Sequence, residues 1–295
     1  MSDFNAALKA HLETGVTTTC NCWALSRRDG VVLGFTDHDG PLSFAGINFK
    51  ADAGMNALAL QQTTGLSIDN TEALGALSST AIREEDIEAG RYDGAEIRSW
   101  LVNWQDVSQR QMQFRGTIGE LRRRDGSFEA ELRGLTEALN KPIGRVYQRP
   151  CGAVLGDKAC GFDLNTTGFF ELRVVEAVEN RQVFRFSTLS GTPRGWFNHG
   201  RLVMLDGDAQ GLIGLIKRDV IDGSERVIEL WQSMRANVVP GNQLRLEAGC
   251  SKRMQTCKKK FDNLVNFRGF PDLPGDDWSI AAPRQSGVLS GGSRR

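Results

Sequence analysis

The chain has 295 residues, 36 Lys and Arg against 36 Asp and Glu, and 40% hydrophobic residues. That length and apolar content supply a packed core, which excludes disorder of the chain as a whole. No apolar run reaches the about 18–20 residues of a membrane helix, and a net charge of zero gives no overall attraction to nucleic acid.

The stretch MSDFNAALKAHLETG has no apolar core followed by a small-residue cleavage site, so no secretory leader and no membrane anchor are expected. Within it, FNAALKAHLET (4–14) places apolar residues at helical spacing and predicts one short helix. The pattern then turns to strands. Cys20-Asn21-Cys22 precedes a strand-like segment, with both cysteines expected as small core residues. Strands follow at Val31–Thr36 and Leu42–Phe49, the second broken into a hairpin by Ala45-Gly46. Ile82 to Glu88 reads as a short helix, and its acidic run Glu84 to Glu88 is expected as a solvated face. Glu96–Trp104 is rich in branched and aromatic residues, and Thr117–Leu135 reads as two alternating arms around an Asp125-Gly126 turn.

A short helix is expected over Leu135–Asn140. Further strands are expected at Phe169–Val175, Val183–Phe186, Arg201–Leu205, Gly211–Arg218 and Glu225–Trp231. A turn or two of helix is expected within 252–264, and a Gly-, Ser- and Pro-rich tail follows from about Asp272. The fold class this implies is mainly β with short helices (α+β), built as β-barrels or sandwiches with tight Gly/Asp turns.

Two further pairs of cysteines carry the chemistry: Cys151 with Cys160, and Cys250 with Cys257. Each pair sits in irregular sequence flanked by Gly or Pro, where loops can fold back so that several thiolates meet. Four soft thiolates suit Zn²⁺ or an iron–sulfur cluster. Structural zinc usually draws ligand pairs from tight turns, whereas spacers of eight and six residues suit a larger object held on several sides. Four unligated thiols remain the third reading. Lys158, Lys252, Arg253, Lys258, Lys259 and Lys260 could offset an anionic cluster, and Tyr147, Phe162, Phe261 and Phe267 could wall it from solvent.

The stretches GRVYQRPCGAVLGDKACGFD and GCSKRMQTCKKKFDNLVNFRGFP, with TTTCNCWALSRRDGVVLGFTDHDGPL and AIREEDIEAGRYDGAEIRSWLVNW before them, resemble the tail-tip hub proteins of long-tailed bacteriophages and gene transfer agents. The phage lambda tail-tip protein L belongs to that family. The resemblance covers roughly residues 15–272.

It implies a 4Fe–4S cluster, with zinc as the alternative, on Cys151, Cys160, Cys250 and Cys257. It implies a structural part rather than an enzyme: an N-terminal hub domain (1–145), a cluster-binding region (146–272) with a β insertion (162–248), and a flexible tail or arm (273–295). It further implies a homotrimer at a virion tail tip, assembled in the host cytoplasm. A sixfold distal tail ring would lie above it and a threefold tip or fibre protein below. A tail peptidase is a further expected partner, and DNA would be met only in transit.

The rival reading is an iron–sulfur or zinc-containing nucleic-acid-processing enzyme. It would need a nuclease carboxylate motif or a nucleotide-binding loop beside the cysteines, and the sequence shows neither. The histidines are His11, His38 and His199, with no GxSxG, HExxH or P-loop pattern. Asp37-His38-Asp39 is read as a polar turn closing a strand.

Overall fold

The structure is a computed structural model describing residues 4–51, 70–71, 82–124, 127–134, 144, 146–187 and 191–273. The Asp125-Gly126 turn, the expected helix over Leu135–Asn140 and the tail from 274 onward lie outside the described residues.

Helix α1 (Ala6–Glu13) begins where the Asn5 side chain accepts the Leu8 amide, and it buries Leu8. It leads into the central strand of the first sheet, β1 (Thr19–Ser26). The remaining strands are β2 (Val32–Thr36), β3 (Leu42–Phe44), β4 (Ile47–Lys50), β5 (Asn70–Thr71), β6 (Glu96–Asn103), β7 (Arg110–Arg124) and β8 (Ser127–Gly134). Their order is β3-β4-β2-β1-β6-β7-β8-β5. All pairs are antiparallel except β2 with β4.

Cys20 and Cys22 lie within β1 rather than before it. Alternation sends them with Ala24 to one face and Trp23 with Leu25 to the other. Both faces are covered: the first group packs with Phe44, Phe49 and Trp100, the second with Phe35, Tyr92 and Ile97. A strand buried on both sides reads as a continuous apolar run, which masks its period of two.

Helix α2 (Glu84–Glu88) follows the acidic run, but its face is not wholly solvated. Asp86 is buried, salt-bridged to Arg27 at 2.9 Å and to Arg91 at 3.2 Å. A buried carboxylate persists only when paired in this way.

The second sheet contains β9 (Phe170–Val174), β10 (Ala177–Glu179), β11 (Val183–Phe186), β12 (Arg201–Met204), β13 (Ile213–Asp222), β14 (Glu225–Leu230) and β15 (Gln243–Glu247). Their order is β10-β11-β14-β13-β12-β15-β9. The sequence reading lacked β10 and β15, and ended β13 at Arg218 rather than Asp222.

Strand β13 serves two ladders. Ile213–Leu215 pairs with β12, Ile216–Asp222 pairs with β14, and the register shifts between Ile216 and Arg218. A bulge of this kind bends a strand and lets both halves enclose one core, including Phe184, Phe186, Leu202, Met204, Ile216, Ile228, Leu230, Leu244 and Leu246. The result is a half-barrel. Among the described residues no ladder joins the two edge strands β9 and β10, so the barrel expected from sequence does not close. The whole sheet lies between the two cysteine pairs in sequence.

Helix α3 (Met254–Phe261) and a 3-10 turn (Leu264–Asn266) follow the second sheet.

Candidate metal centre

The two cysteine-bearing loops are tied together through their backbones. The Cys151 amide donates to the Lys252 carbonyl at 2.8 Å, Gly152 to Arg268 at 3.3 Å and Phe270 to Gln148 at 2.9 Å. Within the first loop Asp157 organises the turn. Its carboxylate accepts the Val154 amide at 2.9 Å and the Cys160 amide at 2.6 Å, which aims Cys160 inward. Those two amides, the Cys160 one foremost, hold the Asp157 carboxyl below the usual carboxylate range.

In the second loop Lys252 adopts a left-handed conformation, with φ of 62°. Helix α3 then places Cys257 and Phe261, four residues apart, on one buried face, while Lys258 and Lys259 point to solvent. Left-handed Asp262 ends the helix, and Asn263 folds back under it.

Cys151, Cys160, Cys250 and Cys257 thus line a single cavity, beside Leu155, Phe261, Phe267, Lys252 and Arg253. Three sulfurs receive N–H groups: Cys151 from the Arg268 amide at 3.3 Å, Cys250 from the Lys252 amide at 3.4 Å, and Cys160 from the Asn263 side chain at 3.6 Å. The fourth, Cys257, donates to the Asn263 carbonyl at 3.1 Å. Burial pushes the Cys257 thiol up, and Cys250, Cys151 and Cys160 push it further. Among the described residues no three His, Cys, Asp or Glu side chains close to the spacing of a single-ion site.

The cations and aromatic rings sort into distinct roles. Lys158, Lys258 and Lys259 are exposed, and Lys252 bonds the Ala153 carbonyl at the cavity wall. Lys260 is turned away toward the half-barrel, and burial lowers its ammonium pKa to about 8 against the opposing effects of Cys250 and Asp219. Phe261 and Phe267 line the cavity, and Phe162 packs behind Phe261 with ring centroids 4.9 Å apart. Tyr147 does not join this wall: it is 66% exposed and packs on Phe270. Sequence reasoning missed Asp157, Asn263 and Asn266, the last of which lines the cavity and donates its side-chain amide to Asn263 Oδ1 at 2.7 Å. The Asp157-x-x-Cys160 spacing of a side-chain-capped turn was the available signal for the first; nothing local marks the other two.

The remaining candidates are structural. His38 Nδ1 accepts the Gly40 amide at 3.0 Å in the turn after β2, and its ring stacks on Trp104. Cys20 and Cys22 are buried in the first sheet, and the four site cysteines carry no disulfide.

A family model described as "Baseplate hub protein, N-terminal attachment domain" matches residues 5–163, and one described as "Phage conserved hypothetical protein BR0599" matches residues 195–277. A search of curated proteins gave no match. A chain in the solved structure "Virion of native gene transfer agent (GTA) particle" is 53% identical with a TM-score of 0.90, over 98% of this chain and 99% of that one. The chain therefore belongs to the baseplate hub protein family, the structural proteins of phage tails and gene transfer agent particles.

Proposed function

We propose that this hub joins the distal tail ring to the tip or fibre proteins below it, and that a 4Fe–4S cluster on Cys151, Cys160, Cys250 and Cys257 clamps its C-terminal region. It acts as a homotrimer, matching a sixfold ring to a threefold tip, in a particle assembled in the host cytoplasm. A tail peptidase is a further neighbour, and DNA passes only in transit. The functional units are 1–145 as the hub domain, 146–272 as the clamped region around the 162–248 insertion, and 273–295 as a terminal arm. No catalytic role is part of this reading.

One observation carries the cluster proposal: sulfurs from either end of the second sheet border one cavity. The donor set also fits. N–H groups aimed at sulfur stabilise thiolates and tune clusters, and three of the four cysteines have them. Spacers of eight and six residues within the cysteine pairs, longer than zinc-binding turns use, favour a polynuclear core over one Zn²⁺. Bound there, the cluster supplies iron–thiolate bonds whose free energy offsets the ordering cost of the loops, about 1–2 kcal/mol per residue in backbone entropy.

Anaerobically purified protein should contain iron and acid-labile sulfide and absorb broadly in the visible. One zinc per colourless chain would overturn the cluster in favour of a zinc clamp. In particles, Cys151→Ser with Cys257→Ser should abolish a stable tip, and normal DNA-delivering particles would refute the clamp.

A further inference from the structure

We infer that Lys260 is a positioning residue, a half-buried bolt that fixes Cys250 by locking the chain just before it to the 196–200 loop of the half-barrel. This rests on the four-cysteine reading above and names a residue that the cysteine spacing does not indicate.

Lys260 lies on α3, three residues after Cys257, yet its ammonium leaves the cavity. It donates to the Trp196 carbonyl at 2.5 Å and to the Gly249 carbonyl at 2.8 Å. Gly249 is the residue immediately before Cys250. The same Trp196 carbonyl accepts the Gly249 amide at 3.1 Å, so one oxygen is shared by α3 and the entry to the second cysteine pair. The ammonium also sits 4.2 Å from the Trp196 ring centroid, and the indole N–H is itself tied to the Gly168 carbonyl at 3.1 Å.

Phe169 and Phe261 complete the enclosure, with ring centroids 5.4 Å apart. One side chain thereby connects α3, the 196–200 loop and the Gly249–Cys250 step.

The loop it grips is held in turn by the half-barrel. Buried Asp219 accepts the Phe197 amide at 3.0 Å and pairs with buried Arg226, while its own amide bonds Asn198 at 2.7 Å. Among the described residues, Lys260 makes no salt bridge to a carboxylate. Its charge is met by carbonyl dipoles and an aromatic face, with Cys250 and the Asp219 carboxylate as electrostatic neighbours. Lys260 therefore places Cys250 through the backbone step just before it.

The test uses the full chain purified without oxygen, as Lys260→Met and Lys260→Arg beside the parent. Two quantities are read: iron and sulfide per chain with the visible circular dichroism of the cluster, and the alkylation rate of Cys250 in metal-free protein, resolved by mass spectrometry. Lys260→Met should retain native β-sheet circular dichroism, bind iron about tenfold or more weakly and expose Cys250 to faster alkylation. Lys260→Arg, which keeps the charge and donors, should recover part of both. If Lys260→Met does not fold, Lys260→Gln carries the same expectation.

Parent-like iron content and an unchanged Cys250 alkylation rate in a folded neutral variant would overturn the inference. A parent protein free of iron and sulfide would instead defeat the cluster reading. The alkylation comparison still decides whether Lys260 holds Cys250.

Discussion

At Gly249 an added Cβ would stand 1.7 Å from the Asn198 carbonyl oxygen, and at Gly200 one would stand 2.1 Å from that of Glu247. Two backbone segments meet here without side chains between them, which is how the chain leaves the half-barrel and arrives beside the cavity at a fixed angle. Gly249→Ala should therefore destabilise the protein by about 3 kcal/mol, an overpacking cost against backbone that cannot retreat. A urea titration followed by tryptophan fluorescence measures it. An unchanged midpoint would mean the segments separate without penalty. The sequence shows a glycine at 249; only the approach of Asn198 shows why no other residue fits.

Among the elements, α2 is the one whose placement depends most on charge. Its first turn carries Glu84, Glu85 and Asp86, favourable at a helix N-terminus. Asp86 turns inward to Arg27, which also holds Asp29 from the turn between β1 and β2. The Arg27 hydrogen bonds are the main reason the Asp29 carboxyl lies below its ordinary range, with burial opposing and the Val31 amide assisting.

A carboxyl with a lowered folded pKa stabilises the fold fully above its unfolded value. That contribution disappears as pH falls through the lowered folded value. The first sheet should accordingly lose stability on acidification through and below the ordinary carboxylate range, and Asp29→Asn should flatten part of that slope. Unfolding midpoints compared between neutral and acidic buffer test this; parallel profiles for the two proteins would remove Asp29 from the account.

For the whole molecule, the apolar clusters separate by sheet. Two line the faces of β1 and one fills the half-barrel. Hydrogen bonds between the two parts are polar and peripheral, such as Arg91 to the Asp208 carbonyl at 2.8 Å and Arg235 to Asp93 at 3.1 Å. Calorimetry of the metal-free chain should show two transitions. Reconstitution with iron and sulfide should raise the one belonging to residues 146–272 and leave the other in place, because a ligand stabilises only the unit that binds it. A single transition shifting as one would show that the sheets unfold together.

Strand positions, the two β-rich regions and the cysteine pairs were legible in the sequence because each is a local signal: alternation, turn residues, spacing. Locality also explains the misses. The full length of β13 depends on its pairing with β14. Asp86 is buried because Arg27, far away in sequence, reaches it. Lys260 looks like one lysine of a solvated run until α3 is docked, after which it faces two carbonyls and a ring. By itself the sequence determined which residues could build strands and which thiols could share a partner. Only the tertiary structure decided which groups meet, because contacts between distant segments depend on how sheet and helix pack, and no local pattern of residues encodes that distance.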